Sequence, residues 1–116
     1  METCLFCKIV KGDVPAEILY EDSFVIAFAD LHPLAPVHLL VIPKEHIASV
    51  NDVTDAQRDV MGALIVAAKK LAQEKGIAQS GYKILIRTGA DGGQEVPHIH
   101  LHLIGGAPLT EDIHPV

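Results

Sequence analysis

The segment from Pro97 to Ile104 reads PHIHLHLI, with His98, His100 and His102 at every second position and Ile99, Leu101 and Leu103 between or after them. Side chains on a β-strand alternate between faces, so this spacing predicts three imidazoles on one face and three aliphatic chains entering the core from the other. Same-face neighbours lie roughly 6.5–7 Å apart along a strand, which puts the outer two histidines about 13 Å from each other. One zinc ion, with bonds of about 2 Å to nitrogen, spans two such neighbours but not the outer pair, so a three-histidine metal centre made from this strand alone is disfavoured. Two adjacent imidazoles at that separation suit a phosphate instead, one aligned with phosphorus and the other hydrogen-bonded to an oxygen. Neutral imidazole is a nucleophile near pH 7, and its reactive nitrogen is fixed when the other nitrogen donates its proton to a carbonyl or a neighbour.

Few elements are needed to position these residues. Cys4 to Lys11 carries Leu5, Phe6, Ile9 and Val10 at a spacing that predicts a short helix closed by Gly12. Ile18 to Tyr20 and Phe24 to Ala29 suit two strands joined by a tight turn at Glu21-Asp22, and the aliphatic run Leu39 to Ile42, ended by Pro43, suits a strand buried on both faces. In Thr54-Asp55-Ala56-Gln57 the Thr54 hydroxyl and the Gln57 side chain are placed to cap a helix start, and the helix is expected to run to Gly76. Val60, Leu64, Ala67, Ala68 and Leu71 form its apolar stripe, which Met61, Ile65 and Ala72 widen beyond what one small sheet covers. The surplus predicts a two-fold homodimer, with Leu64 facing the second subunit and the edge strand Tyr82 to Thr88 beside it. Tyr82 to Thr88 and Val96 to Ile104 complete five strands, as an antiparallel hairpin around a glycine-rich loop from Gly89 to Glu95. The expected class is α+β: a five-stranded antiparallel sheet with one long helix and a short N-terminal helix.

At 116 residues the chain is expected to form one domain, residues 1–116, around one modest core. Its net charge of −6 argues against non-specific binding to nucleic acid, so any phosphate must be gripped locally. METCLFCKIV has no basic region leading into a long apolar core, and the longest apolar run, Met61 to Ala68, is far short of a bilayer span. A soluble, cytoplasmic protein without a membrane partner is the expectation. Cys4 and Cys7, the only cysteines, are too few and too close to staple the fold, and fit a reducing compartment as thiols or as metal ligands.

His98-Ile99-His100-Leu101-His102-Leu103-Ile104 resembles the motif of the histidine-triad (HIT) family, His-φ-His-φ-His-φ-φ with φ apolar. The resemblance extends in order through Cys4 to Val10, Ala27 to Asp30, His38 to His46, Gly92 to Val96 and Gly105-Gly106. Within the family the chain most resembles the Hint branch, homodimers that hydrolyse adenosine or purine nucleoside phosphoramidates to the nucleoside monophosphate and an amine. The resemblance implies that His100 is the nucleophile, attacking the α-phosphorus to form a nucleotidyl-histidine. It makes His102 a partner of phosphate oxygens and of the leaving amine, and His38 a buttress of the triad from an adjacent strand. Asp30 is implied to bind the ribose, which suits a carboxylate facing two hydroxyls. Leu5, Phe6, Ile9, Phe28 and Leu31 correspond to the wall around the purine, and Gly93, Glu95 and Val96 to the phosphate-side loop, where amides approach an anion. By pattern alone His38 and the apolar wall read as core, and Asp30 as a strand-end carboxylate.

Three departures stand out. Arg87 replaces a common asparagine near the phosphate or ribose, where a guanidinium either adds a charge-assisted contact or points to solvent. Pro97 replaces a common tyrosine, and the stretch from Pro108 to Val116 carries no tryptophan of the kind that shapes a partner's pocket in some relatives. The leaving group therefore stays open. Some bacterial members with a similar N-terminal pair bind structural zinc, and the resemblance carries that ligand set to Cys4, Cys7, His46 and His98; the chemistry itself needs no cofactor. Two other functions share these residues: hydrolysis of dinucleoside polyphosphates or nucleotidyl transfer, as in other branches, and a nucleotide-binding interaction module.

Overall fold

The computed structural model of the chain describes residues 3–111. Helix α1 (Leu5–Lys11) is followed by strands β1 (Ile18–Glu21), β2 (Val25–Ala29) and β3 (Val37–Pro43), helix α2 (Arg58–Glu74), and strands β4 (Tyr82–Ile86) and β5 (Leu101–Gly105). The strands make one antiparallel sheet in the order β1-β2-β3-β5-β4. This is the α+β arrangement expected. Gly12 closes α1 at φ 80°, a left-handed conformation that donates its amide to the last turn and that a side chain would strain.

β3 explains the layering. Leu39 and Val41 point to one side, into a core with Val25, Ala27, Leu101, Leu103 and the inner face of α2. Leu40 and Ile42 point to the other, into a second cluster with Ile26, Phe28 and the α1 residues Cys4, Phe6, Cys7 and Ile9. A continuous aliphatic strand is stable here because both of its faces are covered.

Several sequence expectations are corrected. The box at Thr54 forms, with Ala56 N–H donating to Thr54 Oγ1 and Thr54 N–H to Gln57 Oε1, but it opens a 3₁₀ turn at Asp55–Gln57 before α2 begins at Arg58. The strand expected from Val96 starts only at Leu101: Pro97 has no N–H to donate, His98 N–H folds back on Val96 O at 2.8 Å, and Ile99 N–H is taken by Ile47 O. β4 ends at Ile86, two residues short of the expected Thr88. Leu64, expected to face a second subunit, and Ala72, expected to widen the stripe, are both fully buried in the chain's own core. The exposed apolar residues of α2 are Ile65 and Val66. On the edge strand β4, Tyr82 and Ile84 are exposed as well; Ile84 sits opposite the core residue Leu103 and so shares the α2 side of the sheet.

Candidate active site

β3 and β5 bring two catalytic candidates together from distant parts of the chain. His38 and His102 are antiparallel neighbours two residues apart in register, and His38 Nε2 lies 2.9 Å from His102 Nδ1. His100 stands just before β5, its ring centroid 5.1 Å from that of His102, with Phe6 of α1 edge-on at 5.1 Å. All three imidazoles are buried to 7% exposure or less, yet all line a cavity of about 830 Å³ on the α1 side of the sheet.

Backbone groups set the tautomers of two rings. His100 Nδ1 is 2.8 Å from the carbonyl oxygen of His98, so Nδ1 carries the proton and donates it. Nε2 keeps its lone pair, makes no hydrogen bond among the described residues and is open to the cavity. Leu34 N–H donates to His38 Nδ1 at 3.0 Å, which leaves the His38 proton on Nε2, between His102 Nδ1 and Asp30 Oδ2 at 3.3 Å. Asp30 follows β2 and also accepts the amide of His32 through Oδ1. Arg87, which follows β4, turns inward: its Nη1 is 3.2 Å from His102 Nε2.

The rest of the expected nucleotide site meets in the same cavity. Leu5, Phe6, Ile9, Phe28 and Leu31 line it from α1, β2 and the turn after β2, and Gly93, Glu95 and Val96 line it from the loop before the triad. Leu31 is 88% exposed, a rim residue rather than a buried wall. Gly93, at φ 80°, lies against the Arg87 side chain.

His98 is set apart from the other two triad members. Its Nδ1 lies 3.4 Å from Cys4 Sγ and 3.6 Å from Cys7 Sγ, and Cys7 Sγ is 3.1 Å from His46 Nδ1. The four potential ligand atoms fall within 4.8 Å of one another, close enough for bonds of about 2.0–2.3 Å to one tetrahedral zinc. His98 Nε2–H donates to Pro43 O at 2.8 Å, which fixes the proton away from the cysteines and leaves Nδ1 free to ligate. Residues and chemistry therefore fit a structural zinc. Without a metal, burial and then the neighbouring Cys4 push the Cys7 thiol above its ordinary range.

Burial dominates the electrostatics of His38 and His102. It pushes His102 down to about 4, helped by the electrostatic influence of His100, Arg87 and His38 on any proton added there and opposed by Asp30. His38 is lowered by burial too, with Arg87 adding to it and Asp30 working against it. Both rings stay neutral in the folded chain at a pH where an unfolded imidazole, near 6.5, takes up a proton. The unfolded state then binds more protons, so stability is complete above about pH 6.5 and falls as the pH drops towards 4, by on the order of 3 kcal/mol for His102. Melting temperatures taken from pH 7.5 to 4.5 should decline steadily below about pH 7. A flat profile down to pH 5 would show that these rings are not held neutral.

A model of the HIT domain matches residues 11–109. The chain belongs to the HIT family. It is 45% identical over 108 residues to a purine nucleoside phosphoramidase of Escherichia coli K12, covering 93% of this chain and 91% of that protein. Among solved structures, a HIT family hydrolase from Legionella pneumophila Philadelphia 1 superimposes with a TM-score of 0.92 at 48% identity, over 95% of this chain and 98% of that one. A histidine triad protein from Clostridium difficile gives the same TM-score at 43% identity, over 96% of each chain. The family resemblance carried by His98 to Ile104 is borne out, and so is the fold it implies for a HIT protein.

What residue types could not supply were the backbone partners. The Leu34 amide and the carbonyls of His98 and Pro43 set three imidazole orientations, and no side-chain pattern marks them. Val14, Pro15, Ala16 and Glu17, in the connection from α1 to β1, also line the HIT cavity without any sequence signal. The tail beyond Glu111, where the missing tryptophan was noted, lies outside the described residues.

Proposed function

We propose that this HIT protein hydrolyses purine nucleoside 5′-phosphoramidates, adenosine among them, with residues 1–116 acting as one domain. The observation that carries the reading is His100: Nδ1–H is committed to the His98 carbonyl, so the free Nε2 lone pair opens into the cavity beside His102 and Asp30. A relative 45% identical over most of its length, named a purine nucleoside phosphoramidase, supports it. His100 Nε2 attacks the α-phosphorus, the P–N bond breaks, and the nitrogen leaves as an amine with a proton from water. Water then attacks phosphorus, the bond to Nε2 breaks, and the nucleoside monophosphate departs. His102 hydrogen-bonds a phosphate oxygen, and His38 holds His102 in place. Asp30 Oδ2 and Oδ1 receive the ribose hydroxyls, the apolar wall takes the purine, and the amides around Gly93, Glu95 and Val96 face the phosphate, joined by Arg87.

The rival within the same chemistry is a dinucleoside polyphosphate. Comparing kcat/KM for adenosine 5′-phosphoramidate and a dinucleoside tetraphosphate decides between them. The phosphoramidate is expected to be the better substrate, and a clear preference for the tetraphosphate would reverse the assignment. A pure binding module would turn over neither.

Cys4, Cys7, His46 and His98 are proposed to hold one structural zinc, which would tie α1 to the sheet; no catalytic step passes through it. No helix among the described residues is long and apolar enough to cross a membrane, and we place the protein in the cytoplasm, without nucleic-acid partners, as a homodimer. The dimer is supported by Ile65 at 56% and Val66 at 49% exposure, and by the outer edge of β4, which pairs with no strand among the described residues and carries Tyr82 and Ile84. Sedimentation at micromolar concentration should give twice the chain mass of 12.5 kDa. Ile65→Glu should shift the mass towards monomer, because it buries an unpaired charge at the interface, while Lys75→Glu should not. A monomeric wild type would end the idea. Leu64 is the wrong probe, since an acid there disrupts the chain's own core.

A further inference from the structure

Gln94 stands between two residues that line the cavity, Gly93 and Glu95, yet its own side chain is turned to the backbone instead. Its carboxamide is used at both ends. Oε1 accepts the Gly89 amide at 3.0 Å, and Nε2 donates to the carbonyl oxygens of Ala48 at 2.7 Å and Val96 at 2.9 Å. One donor at one end and two acceptors at the other fix which atom is oxygen. Three segments therefore meet on this half-buried group: the start of the glycine-rich loop, the connection after β3, and the approach to the triad.

That approach has no strand to pair with. β5 begins only at Leu101, so the backbone from Val96 to His100 is held by single bonds rather than by a ladder. Val96 O accepts two of them, from Gln94 Nε2 and from His98 N–H at 2.8 Å. Ile99 N–H donates to Ile47 O at 2.8 Å, next to the Ala48 carbonyl that Gln94 holds. The His98 carbonyl in turn accepts His100 Nδ1–H at 2.8 Å. A rotation of the backbone between Val96 and His98 would release that proton to Nε2, where it blocks attack on phosphorus.

We propose that Gln94 is a positioning residue for the nucleophile: its carboxamide clamps the Ala48 and Val96 carbonyls, and through the His98 carbonyl this holds His100 with its Nε2 lone pair towards phosphorus. Gln94 lies outside the cavity and acts through two peptide groups. The inference rests on the nucleotidyl-histidine reading above.

The test uses the full chain with three substitutions. Gln94→Met keeps the length and removes every side-chain hydrogen bond, Gln94→Glu keeps the acceptor for Gly89 but turns an oxygen on the two carbonyls, and Gln94→Lys returns a donor to them. Single-turnover cleavage of adenosine 5′-phosphoramidate should fall about ten- to a hundredfold in Gln94→Met and Gln94→Glu, the scale of one or two lost hydrogen bonds. The dissociation constant for adenosine monophosphate should rise less than about threefold, and Gln94→Lys should recover part of the rate. Nitrogen-15 NMR should find His100 as the Nδ1–H tautomer in wild type and as a mixture with Nε2–H in Gln94→Met. A folded Gln94→Met overturns the proposal if His100 stays wholly Nδ1–H, if the rate is within about threefold of wild type, or if affinity falls as far as rate. Should Gln94→Met not fold, the same comparison in Gln94→Glu decides. Wild type that cleaves no phosphoramidate overturns the underlying reading instead, while the tautomer comparison still decides the role of Gln94.

Discussion

His100→Ala should lower single-turnover cleavage of adenosine 5′-phosphoramidate by on the order of 10⁴-fold or more, while the protein still folds and binds adenosine monophosphate. Deleting the imidazole removes the only triad ring whose lone pair opens into the cavity without a partner. His38 Nδ1 is taken by Leu34, and His102 Nδ1 by His38, so no neighbour substitutes for it. Binding should persist because the proposed purine wall, Asp30 and the loop amides are untouched. The alanine also loses the edge contact with Phe6, a modest change in stability that a melting curve registers separately. Retention of a tenth of wild-type kcat would remove His100 from the nucleophile's role, and acid-labile nucleotide bound covalently to wild type but not to the variant would support it.

The second large effect concerns the Cys4, Cys7, His46 and His98 cluster. Wild type purified without chelator should carry about one zinc per chain, and Cys4→Ala with Cys7→Ala should carry less than a tenth of that. Melting temperature should drop by on the order of 10 °C, both in the double variant and in chelator-treated wild type. The reason is local: α1 has only seven residues, too few to persist as a helix by itself. Its position depends on Phe6, Cys7 and Ile9 packing into the second cluster and on whatever ties the cysteines to His46 and His98. Because Phe6 also leans on His100, loosening α1 should raise KM for nucleotide as well. Zinc-free wild type with an unchanged melting temperature would leave the cluster a set of buried thiols and imidazoles.

Much of the fold was legible because short-range patterns dictate it. The aliphatic run of β3, buried on both faces, follows from four consecutive apolar residues ended by proline. α1 with its Gly12 cap and the stripe of α2 follow from helical spacing, and the alternation in His98 to Leu103 correctly sent Ile99, Leu101 and Leu103 into the core. Periodicity misplaced boundaries wherever hydrogen-bond partners decide them, as at Val96 to His100, where a strand-like pattern has no strand to pair with. It also could not tell Leu64 from Ile65, because a helix face is shared between a core and a subunit interface only once the sheet's width is known.

For the site, residue types and spacing alone singled out two neighbouring imidazoles as a phosphate pair and a cysteine pair as thiols or ligands, since those follow from local chemistry. Which histidine belongs to which centre was decided by tertiary structure. Pro97 and the turn at His98 send that ring to the cysteines, while its carbonyl orients His100. The inward turn of Arg87, the tautomer of His38 and the meeting of α1 with the triad depend equally on contacts between residues far apart in the chain. A sequence states which donors and acceptors exist; only the packed fold sets which of them face each other, and burial then decides their charge.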